Sequence, residues 1–229
     1  LVRISIADEV YPGIISLVRD YGLGPIYPNT IILGDCLRDE EIEEYVDMII
    51  KIYRMKRNMI IFRFPREEES REDMEEENHL KNNNSKKSLR NYFGDERDPK
   101  ISIWWGREKR NAALSLAYSF LIQKNSRWAG TKLYLKSIAP QKEDVESAEK
   151  VIQNLIDEAR ITAHPEVYEI GGSREQIFSK IKEESSDSHL TFIGLLAPDI
   201  KAYAEDPKKI REEYTKYFKE ILDLTKGFP

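Results

Sequence analysis

The sequence predicts an α/β fold of mainly parallel sheets with helices on both faces, arranged as two subdomains. Three observations predict it. Strand-like and helix-like periods alternate along the chain, Met59-Ile60-Ile61-Phe62 is continuously apolar as a strand covered on both sides must be, and after Pro99 the alternation resumes in further strand and helix units.

The chain opens on Val2-Arg3-Ile4-Ser5-Ile6, read as an extended segment through Ala7, and this start is expected to lie inside a longer protein. Pro12 to Tyr21 is read as helix, Thr30 to Gly34 as strand, and Asp39 to Arg57 as helix. Within that helix Ile42, Tyr45, Val46, Ile49, Ile50 and Tyr53 share one face, which a sheet must cover. The second half gives strand Ile101 to Trp105, helix Lys109 to Gln123, strand Lys132 to Ile138, helix Glu143 to Arg160, strand Val167 to Ile170, helix Ser173 to Glu184 and strand Leu190 to Leu196. A long last helix starts near Pro207 and carries Ile210, Tyr214, Tyr217, Phe218, Ile221 and Leu222.

Between the halves the chemistry changes. Glu67 to Glu77 holds eight acidic residues in eleven, and Lys81 to Asn91 adds four basic residues and four asparagines. Such composition cannot bury enough apolar surface to offset its ordering entropy. The expected division is therefore 1–64 as a first α/β subdomain, 65–99 as a charged linker or exposed loop, and 100–229 as a second α/β subdomain.

Composition excludes several function classes. A net charge of −5 offers phosphate backbones and anionic lipid no general attraction, so no nucleic acid partner is expected. Cys36 is the one cysteine and forms no internal disulfide, which fits a reducing compartment. The most apolar stretch, Asn111 to Ile122, has nine apolar residues in twelve, short of the roughly 20 that span a bilayer. No direct membrane insertion by this chain is expected.

Chemistry is sparse. Gly171-Gly172-Ser173 follows a strand and opens a helix, a place where free amides cradle phosphate, yet Gln176 three residues on makes the same residues a capping box. They stand as the weak cofactor-binding alternative. His79, His164 and His189 have no metal-ligand spacing. Ser185, Ser186, Asp187 and His189 invite a hydrolase reading, but they precede their strand, the wrong edge for an α/β active site. No catalytic residue, metal or cofactor is expected. The helix 109–123 is apolar around nearly its whole circumference apart from the line Asn111, Ser115, Ser119, and beside it stand Trp104 and Trp105. Core packing is one account of this anomaly, and an oligomeric or membrane-domain interface is the other.

Gly22-Leu23-Gly24-Pro25-Ile26-Tyr27-Pro28-Asn29-Thr30-Ile31-Ile32-Leu33-Gly34 resembles the segment that opens the C-terminal domain of cation-chloride cotransporters. Ile103-Trp104-Trp105, the apolar helix, Trp128 and Lys132 to Leu135 resemble that family's tryptophan, helix, tryptophan and strand order. Ser185-Ser186-Asp187, the strand after it and Pro198 are similar to its late serine and aspartate segment. Arg107 to Leu114 departs from the family's glycine-containing pattern, which marks a distant, prokaryotic-type member. The resemblance implies a fold related to universal stress proteins, and a non-catalytic regulatory domain that forms a homodimer on the cytoplasmic side of the cell membrane. Its partner is the transmembrane domain of the same polypeptide. Gly22, Gly24, Pro28, Asn29, Thr30 and Gly34 are then structural, and Trp104 and Trp105 are possible interface residues. The alternative is a freestanding universal-stress-like sensor of a nucleotide or small ligand. Nucleotide-binding stress proteins carry a glycine-rich loop after a late strand, where this chain has Ala197-Pro198-Asp199, so no ATP site is expected.

Overall fold

The structure, a computed structural model, describes residues 4–22, 27–36, 38–63, 98–106, 109–226 and 228. The expected linker lies outside the described residues except for Asp98 and Pro99. Two compact units emerge, one from residues 4–63 and 196–223, the other from 98–195 with 224–228.

In the first unit, helix α1 (Val10–Asp20) precedes strand β1 (Thr30–Gly34), a single 3-10 turn (Asp39–Glu41), helix α2 (Ile42–Arg54) and strand β2 (Asn58–Phe62). The two strands pair in parallel, from Thr30 opposite Asn58 to Gly34 opposite Phe62, with α2 as their crossover. Ile42, Tyr45, Val46, Ile49 and Ile50 are buried as their period requires, while Tyr53, expected on that face, is exposed. Residues 4–7 are not in a strand, and Ile4 and Ile6 stand exposed. The closing helices, α6 (Ile200–Glu205) and α7 (Pro207–Leu224), also pack here. This differs from the expected division, which grouped them with 100–229. The reason is aromatic and ionic: Phe218 stacks on Tyr45 with ring centroids 5.6 Å apart, and Arg211 meets Asp47 of α2 at 2.9 Å.

In the second unit the elements are β3 (Lys100–Trp105), α3 (Lys109–Gln123), β4 (Lys132–Ala139), α4 (Lys142–Ala159), β5 (His164–Glu169), α5 (Arg174–Ser185) and β6 (Leu190–Ile193). All four strands are parallel, in the order β5-β4-β3-β6. From β3 the chain steps through β4 to β5, then returns across the sheet to lay β6 beside β3. A consistent right-handed crossover sense places α3 and α4 on one face and α5 on the other.

Strand pleating gives those faces different chemistry. Ile101, Ile103, Leu133 and Leu135 pack against Leu116 of α3 and Ile152 and Ile156 of α4, all nearly sealed from solvent. The alternate residues, Ser102, Trp104, Tyr134 and Lys136, face the opposite way, toward α5. On helix α3, Ser119 is buried beside Ala112 and Leu116, its hydroxyl donating to the Ser115 carbonyl at 2.8 Å, Asn111 and Ser115 are half-buried, and Leu121 is exposed. A hydroxyl that bonds back along its own helix needs no other partner, so a small serine fits against the sheet.

Leu135→Ala is expected to destabilise the chain by about 2–5 kcal/mol, and Leu121→Ala on exposed α3 surface by less than ~0.5 kcal/mol. Urea unfolding of both variants checks the assignment, and equal losses would contradict it.

Candidate functional site

Parallel registry places Trp104, Lys136 and Glu166 side by side in one row across β3, β4 and β5. Leu133 and Leu135 of β4 take the apolar face, so Tyr134 and Lys136 must take the other. Lys136 is 1% exposed. Its ammonium donates to the Glu184 carbonyl of α5 at 2.6 Å and stands 3.2 Å from Glu166 Oε2. Three rings surround it, with centroids 5.6 Å away for Trp104 and 5.7 Å for both Tyr134 and Tyr168. All three lie within cation–π range.

The groups around the ammonium are bound to one another. The Tyr168 hydroxyl donates to Glu166 Oε2 at 2.7 Å, and burial together with hydrogen bonds to Glu166 and Glu184 pushes that phenol far above its usual range. Lys180 pairs with Glu184 at 2.7 Å and lies over the Tyr168 ring. That partner holds the Glu184 carboxyl below the usual range against the opposing effect of burial. Lys100 also lies over the Tyr134 ring, 4.5 Å from its centroid.

The C-terminal turn of α5 is fastened at further points. The Trp104 indole Nε1–H donates to the fully buried Ser185 Oγ at 2.7 Å. Ser102 and Ser188 hydroxyls meet at 2.7 Å, and Lys100 reaches both Asp187 carboxylate oxygens at 2.8 Å. Burial is the largest single influence on the Asp187 carboxyl and raises it, but the hydrogen bond and charge of Lys100, a backbone hydrogen bond and the charge of Lys136 together outweigh it, so the group sits below its ordinary value. His189 Nδ1 accepts from the Lys100 amide at 3.2 Å. The residues of the hydrolase reading are thus gathered at the amino end of β6, Ser185, Asp187 and His189 with partners on β3 and Ser186 with the Glu183 carbonyl of its own helix. Ser185 is sealed under Trp104, and Asp187 faces Lys100 rather than His189.

The tandem tryptophans part company. Adjacent strand residues point to opposite faces, so Trp104 is buried under α5 while Trp105 packs, half-buried, against the apolar cluster beneath α3 and α4. One surface therefore does not display both. Gly171-Gly172-Ser173 opens α5 through the capping box, the Ser173 amide donating to Gln176 Oε1 at 3.0 Å. A Cβ on Gly171 would stand 2.9 Å from the Pro140 carbonyl oxygen, so glycine is required there by a close approach. In the signature segment Gly22 lies in a bend and Gly24 is outside the described residues. Asn29 accepts from the Thr30 hydroxyl at 3.0 Å, its carbonyl accepts from the Asn58 amide at 2.8 Å, and the Gly34 carbonyl accepts from the Tyr45 hydroxyl at 2.5 Å. These contacts join β1 to α2 and β2.

Sequence reasoning did not find Lys136, Tyr134, Tyr168 or Glu166. The available signal was the alternation in Lys132-Leu133-Tyr134-Leu135-Lys136, where a charge takes an inward position of a strand that the topology makes central. Among the described residues no group of three or more His, Cys, Asp or Glu is placed to hold a metal ion, and no helix is long and apolar enough to cross a membrane.

No family model matches the chain, and no curated protein does. Among solved structures it is similar to the crystal structure of the cytoplasmic domain of a prokaryotic cation chloride cotransporter. The two share 16% identity at a TM-score of 0.46, over 72% of this chain and 55% of that one. The chain thus spans little more than half the length of that domain, a protein of the family that the sequence motifs resemble.

Two predictions follow from the fastened turn. Trp104→Phe and Ser185→Ala each leave a buried polar group unpaired and are expected to cost about 1–3 kcal/mol singly. In a double-mutant cycle their coupling is expected to exceed ~0.5 kcal/mol, and strictly additive losses would remove the interaction. Because the Asp187 and Glu184 carboxyls are depressed in the folded chain, their stabilisation is complete above the ordinary carboxylate value of about 4 and is lost as pH falls below it. Lys100→Met is expected to flatten that acid limb in a pH series of thermal unfolding, while an unchanged limb would contradict the Asp187 contribution.

Proposed function

We propose that this chain is the non-catalytic cytosolic regulatory and dimerisation domain of a transporter moving cations together with chloride. The observation that carries the reading is the Gly22 to Gly34 segment, followed in family order by the two tryptophan and serine-aspartate segments. Geometry adds support of a specific kind. The residues shared with the two later segments, 81 positions apart, are direct partners through the bond from Trp104 to Ser185. That bond is buried and holds the α5 turn to the sheet, an architectural role. In this reading the partners are the transmembrane domain of the same polypeptide and a second copy of the chain, and the location is the cytoplasmic side of the cell membrane.

The alternative of a nucleotide or small-ligand sensor at Gly171 to Ser173 has one donor fewer, since the Ser173 amide is taken by Gln176. Two measurements test the leading reading. The reading frame upstream of Leu1 is expected to encode a run of apolar segments of ~20 residues each, and the encoded polypeptide, reconstituted in vesicles, is expected to take up cations only when chloride is present. Chloride-independent uptake, or an upstream frame lacking such segments, would overturn it. Sedimentation of the 229-residue chain tests the dimer separately, a monomer at high micromolar concentration being the contrary result.

A further inference from the structure

We infer that Lys136 is a tethered cation: Trp104, Tyr134, Tyr168, the Glu166 carboxylate and the Glu184 carbonyl form a site for a small ammonium, filled in this chain by the protein's own side chain. The inference stands independently of the transporter reading. A lysine buried only to satisfy its charge needs a carboxylate and a few oxygen acceptors. Lys136 has one carboxylate oxygen at 3.2 Å and one helix carbonyl at 2.6 Å, the Glu184 and Asp187 carboxyls feel its charge, and three aromatic rings stand with centroids 5.6–5.7 Å away. Rings arranged with an acidic group around a cationic centre are the recognition chemistry of alkylammonium ligands.

The occupied site also has a consequence for α5. The Glu184 carbonyl belongs to the last turn of that helix, where carbonyls lack intrahelical partners and the macrodipole is negative. An ammonium held there by the sheet closes the helix end and draws Ser185 to the Trp104 indole. Lys136 is a positioning residue, and the position of the α5 turn reads out the occupancy of the cage.

The test uses the 229-residue chain. In the wild type the Lys136 ε-methylene protons are expected to resonate upfield of ordinary lysines because three rings surround them, and ordinary shifts would overturn the cage directly, whatever the variants do. Lys136→Ala is expected to lower Tm by about 5 °C or more and to shift the Trp104 indole N–H resonance as its bond to Ser185 loosens. Adding n-propylammonium chloride is expected to restore both signals in that variant and to leave the wild type unchanged, with sodium chloride at equal ionic strength and 1-propanol at equal concentration ineffective. Rescue by 1-propanol equal to that by the ammonium would show that the stem alone matters and overturn the inference. Should Lys136→Ala fail to fold, Lys136→Met keeps the stem without the charge. A folded Met variant with wild-type Tm and an unmoved Trp104 resonance would overturn the inference equally, and a lowered Tm with a shifted resonance would support it.

Discussion

A sheet covered on both faces must bury whatever its strands place there, and in the second unit one of those faces carries an ammonium. Stripping a lysine of water costs several kcal/mol per ion after relaxation, far more than any single apolar contact nearby returns. Lys136 remains because the sheet register supplies compensation: Glu166 lies directly opposite on β5 and Trp104 directly opposite on β3. The carbonyl that completes the shell comes from α5, so the cost is offset only when that helix docks with its last turn over β4. Once that turn is set, Ser185, Asp187 and Ser188 arrive at the amino ends of β3 and β6, and the short β6 pairs with β3 from Ile101 opposite Leu190.

The architecture was legible in the sequence because it depends on period and alternation. The strands β3 and β4 and the helix 109–123 fall where apolar repeats put them, while β5 starts earlier, at His164 rather than Val167, and β6 stops at Ile193 rather than Leu196; the capping box at Ser173 is visible as Ser and Gln three residues apart. Two kinds of information were not legible. The grouping of α6 and α7 with the first unit depends on pairs distant in sequence, Tyr45 with Phe218 and Asp47 with Arg211, which local pattern cannot announce. The ammonium site is spread over β3, β4, β5 and α5, so none of its members forms a motif with another. Helix α4 reads from the sequence to Arg160 and is capped there, at φ of 54°, although a left-handed cap usually carries glycine.

From sequence alone the tryptophan pair admits core packing or an interface, and the strand pleat sends the two indoles to different faces. In a strand, adjacency means opposition. Trp104 serves the polar face as a ring for Lys136 and a donor to Ser185, while Trp105 serves the apolar face.

A buried ionic cluster is a poor way to gain stability, because apolar residues of similar volume are often as good or better. What it supplies is discrimination among placements. An apolar α5 could slide along an apolar sheet with modest loss, whereas a shift of one turn would leave Lys136, the Trp104 indole and Ser185 without partners, each a buried polar group. For a domain proposed to regulate a transporter this distinction matters. A signal passes through a domain only if its elements have discrete arrangements rather than a continuum of nearly equal ones. Charge at the centre of the sheet makes the docking of α5 discrete, and that is the property the cluster adds beyond what the leucines and isoleucines on the opposite face provide.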